Sequence, residues 1–224
     1  MRIDIGKPVL SKNEEQAHAN QMLLREHGVF TVNLLAGPGS GKTSTILAAA
    51  TALEKRYRVG VIEGDIAGDV DTCAMLAHGI PCVQVNTGGI CHLESKMIAK
   101  ALDALDLRDI DVLFIENVGN LVCPTDFLLG ESCRVVILSI PEGHDKPEKY
   151  PGVFQVADAV ILNKIDALSV FDFDEEAFRA SMSELNPRAD IIPISATKCL
   201  GVDAWSTWLA ERVEAFRAEA PSLH

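Results

Sequence analysis

Val29-Phe30-Thr31-Val32-Asn33-Leu34-Leu35, followed at once by Ala36-Gly37-Pro38-Gly39-Ser40-Gly41-Lys42-Thr43, decides the fold. The first seven residues read as a buried strand, and Ser44 opens a run of helix formers that reaches Lys55. The eight residues between have the phosphate-loop spacing G-x-x-x-x-G-K-[ST], with Ala36 where the first glycine usually stands. A small side chain is tolerated where the turn begins. Glycines in such a turn let backbone N–H groups converge on phosphate oxygens, and the following helix adds its positive end. Lys42 is expected to reach the β- and γ-phosphates and Thr43 to ligate Mg²⁺, with Gly37, Gly39, Ser40, Gly41 and Ser44 completing the cradle. The competing reading is a glycine-rich turn that binds nothing. Lys-Thr in register between a strand and a helix argues strongly against it.

Outward from this segment, apolar strands alternate with helical patterns. Strands are expected at Arg58–Glu63, Cys82–Asn86, Asp111–Glu116, Arg134–Ile140, Ala159–Asn163 and Ile191–Ser195, and helices at His92–Leu105, Glu175–Leu185 and Val202–Phe216. The strands are near-continuous in Val, Ile and Leu, as in parallel sheets covered on both faces. Ser11-Lys12-Asn13-Glu14 has the S-x-x-E form of a capping box, so a polar helix is expected from Ser11 to Glu26, ended by Gly28. The expected architecture is a three-layer α/β P-loop fold, a mostly parallel sheet with helices on both faces. Residues 1–28 would form a helical extension and 29–224 one compact domain.

Composition sets outer bounds. Among 224 residues, 20 basic against 32 acidic side chains give a net charge of −12. That balance disfavours binding to nucleic acid or anionic lipid, both of which need basic side chains on phosphate. No apolar run approaches the roughly 18 residues of a membrane span, and the N-terminus lacks an apolar signal core, so a cytoplasmic protein is expected. Six cysteines in a reducing compartment are expected as thiols. Cys73, Cys82, Cys133 and Cys199 lie in apolar or helical stretches and read as core thiols. His18 and His27 read as surface residues, Asp145 to Tyr150 as a solvated loop, and Trp205 and Trp208 as anchors of the last helix.

Base choice is written further along. Asn163-Lys164-Ile165-Asp166 follows a buried strand, in the N-K-x-D form. A carboxylate at Asp166 can accept from both N1–H and the 2-amino group of guanine, an edge adenine lacks. Asn163 is expected to bond the base and Lys164 to pack along it. Ser195-Ala196-Thr197, after another strand, has the form of a loop whose backbone N–H meets the guanine carbonyl. Both lie at carboxyl ends of strands, where open α/β sheets bind ligands, and together they favour GTP. Glu116-Asn117-Val118-Gly119 stands where such proteins carry D-x-x-G: Glu116 is expected to approach Mg²⁺ and Gly119 to offer its N–H to the γ-phosphate. Asp65 is the second acidic candidate, for the metal or the attacking water. Asp69 and Asp71 read as helix-start carboxylates. Asn120, not Gln, follows Gly119, so slow hydrolysis is expected.

Cys91-His92 follows Thr87-Gly88-Gly89-Ile90 at the expected start of a helix, and Cys123-Pro124 lies beyond Glu116 on the same loop as Gly119. Two thiolates and an imidazole suit Ni²⁺ or Zn²⁺. From spacing alone, a metal site and a pair of buried thiols beside a surface histidine remain equally open.

VIEGD (Val61–Asp65), VNTGGICHLE (Val85–Glu94), LFIENVGNLVCP (Leu113–Pro124), EGHDKPEKYP (Glu142–Pro151), NKID and ISAT resemble the HypB family of hydrogenase nickel-incorporation GTPases, from about residue 10 to 212. The resemblance implies a P-loop GTPase that dimerises on GTP. It implies GTP hydrolysis coupled to nickel delivery into the large subunit of [NiFe] hydrogenase, together with a second nickel accessory protein. It places metal ligands on Cys91, His92 and Cys123, in a site shared across the dimer. An N-terminal Cys-rich motif or His-rich stretch, common in that family, is not present in this sequence, whose first cysteine is Cys73 and first histidine His18. The rival readings are an accessory GTPase for urease or a cobalt enzyme, a small-molecule P-loop kinase and a plain regulatory GTPase.

Overall fold

The structure, a computed structural model, describes residues 6–65, 68 and 70–219. Asp69 and His224 lie outside them. Seven strands form one parallel sheet: β1 Phe30–Ala36, β2 Val59–Asp65, β3 Cys82–Asn86, β4 Val112–Glu116, β5 Cys133–Ser139, β6 Ala159–Asn163 and β7 Asp190–Pro193. Their order is β3-β2-β4-β1-β5-β6-β7. The chain leaves β1 with neighbours on both sides, so the crevice at the end of β1 lies where the strand order reverses.

Eight α-helices cover the described sheet: α1 Gly6–Glu26, α2 Lys42–Leu53, α3 Val70–Ala77, α4 Ser95–Leu102, α5 Lys146–Lys149, α6 Pro151–Gln155, α7 Glu175–Leu185 and α8 Val202–Glu219. Alternation along the strands sorts the core into two faces. Val32, Leu34, Val112 and Phe114 pack with Ile46, Ala49 and Leu53 of α2 and Trp205 and Leu209 of α8. Leu113 and Ile115 pack with Leu24 of α1 and Ile98 of α4; Leu35, Val136 and Leu138 pack with Phe154 and Phe178. This is the three-layer α/β sandwich expected from the apolar runs.

Several boundaries differ for identifiable reasons. Helix α1 begins at Gly6, so Ser11 lies inside it and is not its cap. Its other end follows expectation. Gly28 has φ 67°, Val29 N–H bonds Leu24 O at 2.9 Å and Gly28 N–H bonds Arg25 O at 3.1 Å, the Schellman closure. The chain after Cys91-His92 is not helical until Ser95, because Glu94 is extended at ψ 153°. The expected loop at 145–150 contains α5 and runs into α6, whose Val153 and Phe154 are buried along with Pro147. Cys133 is buried and Cys82 half-buried, but Cys73 and Cys199 are exposed. Cys73 faces away from the Met75 side of α3, and Cys199 occupies a left-handed turn at φ 55° closed by Ser195 and Leu200. Trp205 and Trp208 do anchor α8: the rings stack at 5.5 Å and Trp208 Nε1 donates to Asp190 Oδ2 at 2.7 Å. No helix among the described residues is long and apolar enough to cross a membrane.

At the opposite end of the sheet from the glycine turn, Asp111 takes Arg58 N and Nε at 2.7 and 2.9 Å and Arg217 at 2.8 Å. Hydrogen bonds from Arg58 hold its carboxyl down at about 2. A depressed carboxyl stabilises above its unfolded value of 3.8 and loses that contribution as pH falls through about 2. Asp111→Asn should therefore cost about 1 kcal/mol near pH 7, after allowing for the exposed Arg58, and little near pH 2. Chemical denaturation at the two pH values measures this.

Candidate functional site

The phosphate loop is fastened from three sides. Ser40 Oγ lies 2.8 Å from both Gly37 O and Glu142 Oε2, which share its single proton, and Glu142 Oε2 also accepts from Ser139 N–H and Oγ at 2.8 and 2.7 Å. Glu142 was not singled out in the sequence; its signal is Ser139-Ile140-Pro141-Glu142, an S-x-x-E box at the end of β5. Asn163, 2% exposed, donates from Nδ2 to Ser40 O at 2.9 Å. Its Oδ1 accepts from Lys164 N–H at 2.8 Å and Ala196 N–H at 3.2 Å. That carboxamide therefore ties the phosphate loop to both guanine-type loops, and its second Nδ2 hydrogen is left to donate to a base. Gly41 is required here: φ is 94°, and a Cβ would lie 2.5 Å from Asn163 Nδ2. Lys164 Nζ donates to Gly39 O at 2.7 Å, laying its stem over the loop, while Asp166 and Thr197 are exposed and Ser195 and Ala196 buried. Lys42, Thr43 and Ser44 open α2, with the loop's N–H groups at its positive end.

Beside Thr43 lies a buried acidic pair. Thr43 Oγ1 donates to Glu116 Oε1 at 3.0 Å, and Glu116 Oε2 is buried without a hydrogen-bond partner. Glu63 of β2 sits in register with Glu116 of β4, and its Oε2 accepts from Thr72 Oγ1 of α3 at 3.0 Å. Burial pushes both carboxyls up to about 7, against the attraction of Lys42. An orphaned carboxylate oxygen next to a threonine hydroxyl fits a small, hard divalent cation, so Glu116 and Thr43 would hold Mg²⁺ here. Asp65, at the end of β2, accepts from Gly68 N–H at 2.8 Å, and Asp71 lies in the first turn of α3. Gly119 leans on the phosphate loop: a Cβ there would stand 3.1 Å from Pro38 Cα. Glu63 was missed because only strand register reveals it.

The loop that carries Gly119 also carries Cys123. The Cys123 thiol acts on that of Cys91: hydrogen bonding to it, followed by burial, raises the Cys91 thiol above its ordinary range. Asn120 Nδ2 donates to Cys91 O at 3.3 Å and its Oδ1 takes Val122 N–H at 2.8 Å, so Asn120 joins the two loops. Asn117, fully buried, receives Leu93 N–H at 3.2 Å and donates to Asn33 of β1 at 3.2 Å. His92 sits between the Cys91 thiol and Phe127. Its ring stacks on Phe127 at 3.9 Å, its Nδ1 lies 3.9 Å from Cys91 Sγ, and burial lowers its pKa. Among the described residues no three His, Cys, Asp or Glu side chains converge to hold a metal ion, so one protomer does not by itself complete the set of Cys91, His92 and Cys123 that the resemblance implies for a site shared across a dimer.

A family model described as "CobW/HypB/UreG, nucleotide-binding domain" matches residues 31–193. The hydrogenase maturation factor HypB of Azotobacter chroococcum mcd 1 is 42% identical across 99% of this chain and 75% of its own length. The chain belongs to the HypB family. Another relative, HypB of Escherichia coli K12, is 44% identical over 92% of this chain and 71% of its own. The crystal structure of HypB from Helicobacter pylori in complex with nickel superimposes with a TM-score of 0.88 at 36% identity, covering 95% of this chain and 99% of that one. These HypB matches span both cysteine loops and bear out the resemblance read from VIEGD and IENVGNLVCP.

Proposed function

We propose that this chain is a slow, Mg²⁺-dependent GTPase whose nucleotide state sets nickel binding and delivery for [NiFe] hydrogenase maturation. The observation that carries the proposal is continuity: a single loop leads from Glu116, bonded to Thr43, through Gly119, packed on Pro38, and Asn120, bonded to Cys91 O, to Cys123. Lys42 draws the β- and γ-phosphates into the cradle, Gly119 N–H donates to a γ-phosphate oxygen, and Asp65 orients the attacking water. Mg²⁺, when bound, supplies charge neutralisation at the transferring phosphoryl group. Water adds to the γ-phosphorus, the bond to the β-phosphate oxygen breaks, and GDP and phosphate leave. Asn120 is already engaged between the loops, which supports slow turnover.

Loss of the γ-phosphate releases Gly119 and with it Cys123, changing the donor set offered to the metal. Nickel is favoured over zinc by the nickel-bound neighbour, although thiolates and imidazole suit both. Two thiols from one protomer leave coordination places for a second copy, and exposed Ile90, Val122 and Leu128 beside them suit a GTP-favoured homodimer. The further partners follow the family: a second nickel accessory protein and the hydrogenase large subunit, in the cytoplasm. The extension at 1–28 and the domain at 29–224 are proposed to act as one unit.

The test is nickel affinity and stoichiometry per protomer with a non-hydrolysable GTP analogue and with GDP. Linkage makes the metal alter nucleotide affinity by the same factor. Different nickel dissociation constants are expected; identical ones overturn the coupling. Base choice has its own test. Asp166→Asn removes a bidentate charged acceptor and should weaken GDP binding by roughly 100-fold while improving binding of xanthosine diphosphate, whose C2 carbonyl can accept from the new amide.

A further inference from the structure

We infer that α1 is a working part of the thiol site, and that Asn13 and Asn20 are positioning residues that hold the Cys91 and Cys123 loops in register from behind. The inference rests on the nickel reading above for its function, and on geometry for its parts.

Helix α4 begins at Ser95, directly after the Cys91–Glu94 segment, and Glu94 at its N-cap gives no side-chain cap. Asn13 of α1 supplies one instead: its Oδ1 accepts from Ser95 N–H at 2.8 Å, and Ser95 Oγ donates back to Asn13 O at 2.8 Å. The same carboxamide donates through Nδ2 to Leu128 O at 2.7 Å, just past Phe127, the ring stacked on His92. One side chain therefore spans the exits of both cysteine loops. Asn20 repeats the arrangement a turn or two along, donating to Ser95 O at 2.8 Å and Leu129 O at 2.9 Å, with its own Oδ1 held by Gln16 Nε2 at 3.1 Å. Gly130 brings the second loop flush against the helix: at φ 103°, a Cβ would lie 2.7 Å from Asn20 Cβ and 2.8 Å from Ala17 O.

Packing alone does not call for this. A helix docking through Ala17 and Leu24 gains its stability from apolar burial, whereas two buried carboxamides must be fully matched or they cost stability. Here their donors and acceptors go to main-chain groups on the two loops whose separation sets the sulfur–sulfur contact.

The experiment uses the full chain and three variants: Asn13→Ala, Asn20→Ala and, as a control for loosened packing, Leu24→Ala. Leu24 is buried on α1 in the apolar cluster with Val29, Leu113 and Ile115, and its truncation removes none of the hydrogen bonds that Asn13 and Asn20 make to the loops. Two readouts are taken on each protein: nickel affinity by chelator competition, with the sulfur-to-nickel charge-transfer absorption, and binding of phenylarsonous acid to metal-free protein, which needs two adjacent thiols. Asn13→Ala should weaken nickel by about tenfold, the worth of one to two buried hydrogen bonds, with a parallel loss of arsenical binding and GDP affinity within about twofold. Asn20→Ala should follow, and Leu24→Ala should lower the melting temperature at least as far while holding both ligands like wild type. Wild-type binding in Asn13→Ala, or equal loss in Leu24→Ala, overturns the inference. The arsenical separates the two claims: a wild type that takes arsenical but no nickel refutes the nickel reading, and the clamp is then judged on arsenical binding alone.

Discussion

Glu116→Gln should lower Mg²⁺-dependent GTP hydrolysis by roughly 10²- to 10³-fold, the range found when one preorganised electrostatic group is removed from a buried site. The amide keeps the shape and can still accept from Thr43 Oγ1, so the phosphate loop should retain GDP. The charge facing the cation is what disappears. The same substitution carries an opposite and less expected effect on stability. Burial raises Glu116 from 4.5 to about 7 in the folded chain, and Glu63 likewise. Between those values the native state binds more protons than the unfolded chain, so stability from these groups is present below about 4.5 and is lost as pH rises through about 7. At pH 8 without Mg²⁺, wild type keeps two buried negative charges in adjacent strands, and Glu116→Gln removes one. In chelator, the variant should be more stable than wild type at pH 8 by about 2 kcal/mol, and close to it at pH 5. A Gln variant less stable at pH 8 would show that the pair is not strained by burial. Unchanged hydrolysis would remove Glu116 from the metal site.

What could be read from the sequence was whatever lies in one continuous stretch. The strand, glycine turn and Lys42-Thr43 specify their own geometry, because backbone conformation and helix start are local properties. The guanine-type loops were legible for the same reason, as was the end of α1 at Gly28. What stayed hidden depends on elements meeting. Glu63 stands beside Glu116 only through the register of β2 on β4, and Glu142 reaches Ser40 only because β5 lies next to β1. The base-binding role expected of Asn163 comes from its local motif, whereas its ties to Ser40 O and Ala196 N–H, from loops on either side, depend on how the strands meet. His92 is next to Cys91 in sequence, yet its ring follows Phe127, a contact made across loops. Cys73 and Cys199 misled for a related reason, since hydrophobic surroundings in sequence do not say which side of a helix or turn faces water.

Removing the sulfur that travels with the nucleotide loop gives the other large effect. Cys123→Ala should weaken nickel by at least about 100-fold, since losing even an outer partner of a metal ligand costs 10- to 100-fold, and this removes a ligand itself. GDP affinity should change little, because Cys123 lies beyond Gly119 and outside the phosphate cradle. The difference in nickel affinity between the GTP-analogue and GDP states should vanish along with the sulfur. A change independent of metal accompanies it. The Cys91 thiol is held above its ordinary range first by its hydrogen bond with Cys123, so Cys91 keeps its proton more tightly while that partner is present. In Cys123→Ala the Cys91 thiol should ionise at lower pH, and since the thiolate is the nucleophile, alkylation of Cys91 by iodoacetamide near pH 8 should speed up. Nickel must displace that same proton, so wild-type affinity should rise with pH across the range in which Cys91 ionises. Peptide mass spectrometry of the alkylation time course decides the matter. If Cys91 reacts at the same rate with and without Cys123, the two sulfurs do not share a proton. That outcome removes the proton link in the metal-free protein, and unchanged nickel affinity in Cys123→Ala is then the result that takes Cys123 out of the metal site.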